Sequence, residues 1–400
     1  MRILVVATRS PYPLIEGRAL RTYNLLRETA RKHDVCLCTY VQSSAEVEGL
    51  SHLQTFCDEV HAVPLYMSGR VAALAVDLAA DLFSPAPLMA LKYHTSKMTA
   101  LVEAAIARFK PDVVHLDMLH LGELLPHLQG LPVVLVEHNA ESVLLTRRVD
   151  NESSFFRKRY LGRQARKLSA YESRICAAVN EIVAVSDVDA GIIGHLAPDT
   201  PVTVVPNGVD TEFFSPGVWP AVPSSMVYVG GLSWFPNLDA IDFFTREILP
   251  HLVKSVGNAQ LTVVGQVPSQ RTLDPWRGQD RVRFTGLVDD IRPIVGGASV
   301  YVVPLRIGGG TRLKILDAMA MGKAVVTTSV GCEGLEVQNG RDLLIADGVG
   351  DFSAAVLQVL RDPQLAGRLG AAGRACVERR YQWSAIAERM EAVYARVASS

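Results

Sequence analysis

Three consecutive glycines, Gly308, Gly309 and Gly310, follow an apolar run that ends in Pro304, and Arg306, Arg312 and Lys314 surround them. With no Cβ in the turn, backbone N–H groups can approach a ligand closely. Thr311 is placed to cap the helix predicted to follow, and the first turn of a helix carries unpaired donors and partial positive charge. Such a turn suits an anion, usually phosphate. Asp317 lies three residues beyond Lys314, on nearly the same helical face and one turn deeper. An ionised carboxylate only accepts hydrogen bonds, which suits the hydroxyls of a ribose. Phosphates at the turn with a ribose behind them describe a nucleoside diphosphate. The same residues also fit a ligand-free turn in an ordinary α/β protein, with Lys314 and Asp317 forming a helix ion pair. The spacing is neither that of a P-loop nor G-x-G-x-x-G, since Lys314 follows Leu313 and precedes Ile315. ATP phosphoryl transfer and hydride transfer are therefore weakly supported.

The elements that must position this turn are short apolar runs at 3–7, 34–41, 59–65, 112–116, 133–136, 181–186 and 202–205. A second set lies at 226–229, 261–264, 282–284, 301–304, 324–328 and 343–346. Continuous apolar runs separated by helical segments predict parallel sheets covered on both faces. Four hundred residues are enough for two such α/β domains. The Pro-rich run at 215–225 reads as the linker into the second. Ligands collect at the carboxyl ends of parallel strands. His138 stands just past the run 133–136, beside Glu137 and Glu141. It is the candidate for chemistry in the first half, since imidazole titrates near neutral pH. Asp117 and His120, after the run 112–116, are candidates for an acceptor pocket, whereas His115 inside that run reads as a core residue. Glu333, past the run 324–328, could meet sugar hydroxyls. Arg18 and Arg21, near the start of the first predicted helix, could serve a phosphate or merely face solvent.

Composition excludes several function classes. The chain has 49% apolar and 20% charged residues and a net charge of −1, against a surface built to bind nucleic acid. Its six cysteines form no C-x-x-C pair and no His-rich metal spacing. Cys36 and Cys38 alternate in a predicted strand and read as small apolar side chains, and a reducing cytoplasm is expected. The chain opens directly on a strand, which predicts no signal peptide. The most apolar helical candidate, 71–91, is broken by Asp77, Asp81 and two prolines, and no membrane span is predicted. The segment 147–174 is strongly basic, with Phe155, Phe156, Tyr160 and Leu161 among its charges. It suits an anionic membrane surface, or equally a solvated helix whose apolar stripe (Phe156, Tyr160, Leu168, Tyr171, Ile175) packs on the sheet.

The stretch from Tyr301 to Glu333 resembles the signature of the retaining glycosyltransferases of family 4. In these a Gly-rich loop leads to a helix reading roughly E-A-M-A-x-G-x-P-V-V. This chain reads Asp317-Ala-Met-Ala-Met-Gly322-Lys-Ala-Val-Val326. Of the family's two glutamates, the second matches Asp317 and the first falls on Gly309. A subgroup carries instead an R-x-G-x-G-x-R-x-K loop, matched by Arg306, Gly308, Gly310, Arg312 and Lys314. The resemblance extends to Pro206-Asn-Gly-Val-Asp210 and to the closing segment from Tyr381. It implies a GT-B fold: two Rossmann-like parallel-sheet domains facing across a cleft, 1–205 with the returning helix 383–400 for the acceptor, and 206–382 for the donor. It further implies transfer from a nucleotide-diphosphate sugar, UDP- or GDP-linked, to a glycan or lipid-linked acceptor, with retention and with neither metal nor cofactor. The donor phosphates would meet Arg312, Lys314, Gly308, Gly309, Gly310, Gly17 and Arg18. Asp317 and Glu333 would meet ribose and sugar, and His138 with Asp317 would be catalytic. The protein would then be cytoplasmic, peripheral at the inner face of the cell membrane through 147–174. Gly231 and Asn237 stand where many members carry an arginine and a lysine on the pyrophosphate. A relocated clamp built from Arg312 and Lys314 is expected; a nucleotide-sugar epimerase or hydrolase, or a non-catalytic binder, are the alternatives.

Overall fold

The computed structural model describes residues 1–14, 17–65, 81, 84, 86–150, 152, 154–220, 222–307 and 313–399. Side chains at Gly17 and Arg18 are outside that description, and so are Gly308, Gly309, Gly310, Thr311 and Arg312 entirely. The chain separates into two compact units, Met1–Pro206 with Trp383–Ser400, and Asn207–Gln382.

The first unit runs β1 (Arg2–Ala7), α1 (Gly17–Thr29), β2 (Asp34–Val41), α2 (Ser44–Leu53), β3 (Glu59–Pro64), α3 (Leu88–Tyr93) and α4 (Ser96–Phe109). It continues with β4 (Val113–Asp117), a 3₁₀ segment at Leu119–His127, β5 (Val133–Val136), α5 (Glu141–Asp150), α6 (Phe155–Cys176), β6 (Glu181–Ala184), α7 (Asp187–Leu196) and β7 (Val202–Val204). All seven strands are parallel, in the order β3-β2-β1-β4-β5-β6-β7. The run Ile3 to Ala7 is almost wholly inaccessible, as an inner strand covered on both faces must be. Ser43, Thr95 and Ser186 cap α2, α4 and α7 through their hydroxyls.

The second unit runs β8 (Val222–Val229), α8 (Phe235–Phe243), α9 (Leu249–Val256), β9 (Gln260–Val264), β10 (Val282–Phe284), α10 (Arg292–Gly297), β11 (Ala298–Val303), α11 (Leu313–Ala320), β12 (Val325–Thr327), β13 (Leu344–Ile345), α12 (Val349–Arg361) and α13 (Pro363–Arg380). Its six parallel strands are ordered β10-β9-β8-β11-β12-β13. The last helix, α14 (Trp383–Ala398), belongs to the first unit, where it packs on α1, β4 and β5.

Strand order reverses between β1 and β4 in one unit and between β8 and β11 in the other. These reversals are where open α/β sheets bind ligands.

Two expectations are corrected. The run 215–225 is not a linker between domains: the division falls at Pro206 and Asn207, and Val222 already begins β8, with Val222 opposite Ala298 of β11. Val222-Pro-Ser-Ser lacks an apolar run because this end of β8 is only partly covered. The basic segment 147–174 spans parts of two helices, α5 and α6, rather than one. Its apolar stripe divides as well. Leu168, Tyr171 and Ile175 are buried, but Phe156 is 82% exposed and Tyr160 is also exposed, because the first turns of α6 lie out in solvent.

Candidate active site

In the second unit the site grows from the carboxyl ends of β8 and β11, the strands flanking the reversal. Lys314, in the first turn of α11, sends its ammonium to Tyr228 Oη (2.9 Å) and Asn237 Oδ1 (3.0 Å). The ammonium also lies over the Tyr228 ring, 4.3 Å from its centroid. Asn237 ties the three together, accepting from Tyr228 Oη at 2.6 Å and donating to Gly231 O at 2.7 Å. A Cβ at Gly230 would stand 2.7 Å from Lys314 Nζ, so the ammonium packs directly over this glycine. Gly265, at the end of β9, has φ +148°, and a Cβ there would sit 2.5 Å from Gly230 O. Backbones therefore close in around this corner. A lysine is expected in the family at the position of Asn237; here Asn237 orients the ammonium of Lys314 instead.

Asp317 lies one turn deeper in α11. Burial pushes its carboxyl up to about 8, and among the described residues no hydrogen-bond partner satisfies it. A desolvated acid beside a strand reversal is a candidate for ligand contact. Glu333 sits in the turn after β12, partly accessible. Arg306 does not join the cationic group expected around the turn. Its guanidinium pairs with Asp239 (Nε to Oδ2 3.1 Å, Nη2 to Oδ1 2.7 Å) and stacks over Phe243. Arg312 and the three glycines fall outside the described residues, so Lys314, Asp317 and Glu333 are the members of this group that the structure places.

In the first unit His138 and Asp117 meet at the carboxyl ends of β5 and β4. His138 Nε2 lies 2.7 Å from Asp117 Oδ1, and Thr22 Oγ1, on α1, donates to Asp117 Oδ2 at 2.9 Å. Burial opposes ionisation of Asp117, but the His138 ring, His115 and the Thr22 hydroxyl outweigh it and hold the carboxyl below its usual range. An ionised carboxylate only accepts, so His138 Nε2 carries the proton and the ring is fixed in orientation. His115 is the core residue expected, 3% exposed, with Nδ1 2.7 Å from Tyr394 Oη of α14; burial lowers it to about 4.

Arg21 departs from the expectation of a phosphate ligand or a solvated arginine. It is 1% exposed and donates to Val205 O (2.7 Å) and Pro206 O (2.8 Å) at the unit boundary. Gly17 and Arg18 form the first turn of α1. His120 is 6% exposed, edge-on to Tyr93. Glu137 is fully enclosed, and burial together with Glu172 and Glu141 raises its carboxyl well above the ordinary range. It is sealed off from any substrate, and Glu141 is itself 8% exposed.

The model for Glycosyl transferases group 1 matches residues 223–362, and that for Glycosyltransferase Family 4 matches residues 16–213. The chain carries both domains of the family 4, group 1 glycosyltransferases. Among relatives of this glycosyltransferase is an uncharacterized 44.6 kDa protein in cps region of Klebsiella pneumoniae, 23% identical over 86% of this chain and 87% of the other. A phosphatidyl-myo-inositol mannosyltransferase of Mycobacterium tuberculosis is 30% identical over 49% of this chain and 54% of its own, so that match spans about half of either protein. The solved sucrose-phosphate synthase of Thermosynechococcus elongatus superposes with a TM-score of 0.72 at 18% identity, covering both chains completely. The fold is GT-B, with two Rossmann-like parallel-sheet domains.

Tyr228, Asn237 and Thr22 are the parts of the site that sequence reasoning does not assign as partners. Tyr228 lies inside an apolar run, and Thr22 inside a helix. The usable signal was Asn237 itself, a polar residue where the family carries a cation.

Proposed function

We propose that this glycosyltransferase moves a sugar from a UDP- or GDP-linked nucleotide-diphosphate sugar to a glycan or lipid-linked acceptor, with retention at the anomeric carbon. The observation that carries the reading is the ammonium of Lys314, held by Tyr228 and Asn237 at the reversal between β8 and β11. Lys314, Arg312 and the N–H groups of Gly308–Gly310 take the diphosphate and stabilise it as it leaves, without a metal ion. Asp317 and Glu333 take ribose and sugar hydroxyls, Gly17 and Arg18 approach the phosphates, and the Asp117-oriented His138 stands at the transferred sugar. The relative named a phosphatidyl-myo-inositol mannosyltransferase supports glycosyl transfer and an acceptor of lipid-linked type. Surface glycan assembly in the cytoplasm, peripheral to the inner face of the membrane, fits the exposed aromatic and basic start of α6. Among the described residues no helix is long and apolar enough to cross a membrane.

The test is a thermal-shift panel with UDP, GDP, ADP and TDP on the wild type, Lys314→Ala and Arg312→Ala, followed by transfer assays. A ligand at 100 times its Kd stabilises by about 2.7 kcal/mol, and the expected result is a shift with one nucleotide that both variants lose. In Lys314→Ala the Tyr228–Asn237 hydrogen bond persists, so the unliganded melting temperature should hold while kcat/KM falls roughly 100-fold or more. Wild-type transfer by both variants would remove the phosphate clamp. Nucleotide binding without transfer to any acceptor would make the protein a binder.

A further inference from the structure

Cys36 and Cys38 lie on β2, and parallel pairing sets Cys36 opposite Glu59 and Cys38 opposite His61 on β3. Residues two apart on a strand share a face, so a C-x-C and an E-x-H pattern, far apart in sequence, converge on one patch beneath α4. The sequence reading expects no metal because neither pattern has a metal-binding spacing alone; strand pairing makes the set.

Cys36 Sγ, a carboxylate oxygen of Glu59 and a ring nitrogen of His61 all lie within 4.8 Å of one another. Cys36 Sγ is 3.7 Å from Glu59 Oε2, and His61 Nε2 is 3.0 Å from the same oxygen. A tetrahedral zinc ion with bonds of roughly 2.3 Å to sulfur and 2.0 Å to nitrogen and oxygen sets its ligands about 3.5 Å apart for S···O and 3.3 Å for N···O. The S···O edge of 3.7 Å and the N···O edge of 3.0 Å lie within about 0.3 Å of those of that tetrahedron.

Arg108, at the end of α4, supplies the positive charge in this structure. Its Nη2 donates to Glu59 Oε2 and lies 2.7 Å from His61 Nε2. A guanidinium cannot accept, so His61 Nε2 presents its lone pair to Arg108. Two lone pairs 3.0 Å apart thus point at one cationic nitrogen, with a sulfur beside them. Arg108 is 53% exposed along its side chain, so its guanidinium has open solvent beside it, while Glu59 and His61 open to solvent at 26% and 29%. Cys36 is sealed beneath, its thiol donating to Glu59 Oε2 at 3.7 Å.

We propose that Cys36, Glu59 and His61 form a binding site for a divalent transition metal, zinc by the softness and number of its donors, with Arg108 as the cation that holds the site when metal is absent. Thiolate, imidazole and carboxylate together suit zinc rather than magnesium or calcium, which take oxygen. On binding, the Cys36 thiol gives up its proton to water, the Arg108 guanidinium leaves Glu59 and His61, and a water completes four-coordination. The site would clip edge strand β3 to β2, independently of donor chemistry in either unit.

The test is titration of tag-free protein with cobalt(II), followed by displacement with zinc(II). Expected are a near-ultraviolet thiolate-to-cobalt charge-transfer band and strong visible bands of four-coordinate cobalt, both removed by zinc. Cys36→Ser should abolish the charge-transfer band, and His61→Asn should weaken cobalt binding tenfold or more. Arg108→Gln removes the competing cation and should strengthen binding severalfold. His61 and Arg108 are partly exposed, so those two variants keep the test decisive should Cys36→Ser fail to fold. No charge-transfer band in wild type, a band that survives Cys36→Ser, or unchanged affinity in both His61→Asn and Arg108→Gln would overturn the site.

Discussion

Asp317 shows how one desolvated acid ties stability to pH. Its carboxyl is pushed up from the ordinary 3.8 to about 8 by burial alone. The folded state therefore binds this proton more tightly than the unfolded chain. Stability from Asp317 is fully present below pH 3.8 and is lost as pH rises toward 8. Each tenfold displacement of that proton equilibrium is worth about 1.4 kcal/mol, trimmed here by the partial solvent access of the side chain. Asp317→Asn keeps the shape and removes the ionisation. Its melting temperature should exceed wild type by several degrees at pH 8 and equal it near pH 4, measured by calorimetry across that range. The same variant should lose transfer above about pH 8, where the ionised carboxylate accepts from two ribose hydroxyls and an amide cannot. A variant with wild-type pH dependence would show that Asp317 is not desolvated. Candidates of this kind can be picked from sequence by type and helical spacing, as with Lys314 and Asp317, or by a strand end, as with His138. Partners cannot: Tyr228 and Thr22 become visible only when the sheet and α1 bring them to Lys314 and Asp117.

Elements were legible where burial imposes a pattern. Inner strands such as β1, β4 and β5 are apolar throughout because both faces are covered, and a short run of Val, Ile and Leu has few other uses. Where cover is partial the pattern fades, which is why β8 begins four residues before its apolar run. The start of α6 is the sharper lesson, since the same sequence fits a packed stripe or an exposed one. The structure puts Phe155 72% and Phe156 82% out in solvent, among exposed Arg157, Lys158 and Arg159. Aromatic rings beside basic side chains suit an anionic bilayer surface. Burying one such ring contributes roughly 1.5–3 kcal/mol, so replacing both Phe155 and Phe156 by Ser should reduce binding to anionic vesicles by tenfold or more. The unliganded melting temperature should stay within a degree or two, since neither ring supports a core. Sedimentation with phosphatidylglycerol vesicles at low and high salt measures the effect. Equal pelleting of variant and wild type would leave α6 a solvated helix.

At the scale of the molecule, two hydrophobic cores share no residue: one lies within Val209 to Tyr381, the other within the first unit. The second unit carries Lys314 and Asp317, and the first carries His138 and is completed by α14. That last helix buries Trp383, Ile386, Met390, Val393 and Tyr394. It also anchors its charged edge, with Arg396 on Glu181 and Lys32 on Glu391. Tyr394 reaches farthest in, to His115, whose Nε2 already lacks a partner among the described residues. Tyr394→Phe removes the phenol and leaves His115 Nδ1 unpaired in a dry site, a cost of about 1–3 kcal/mol. For a domain of this size each kcal/mol moves Tm by roughly 2–4 °C. Differential scanning calorimetry should therefore resolve two transitions. A saturating nucleoside diphosphate should raise one of them, because ligand stabilises the unit that binds it. Tyr394→Phe should lower the other and leave the nucleotide-dependent transition where it was. If nucleotide and variant move a single common transition, the two cores unfold as one cooperative body and stability cannot be assigned to the units separately. If the two respond independently, donor binding can be measured on a protein whose first unit has been weakened, and the roles of Lys314 and His138 can be separated in the same chain.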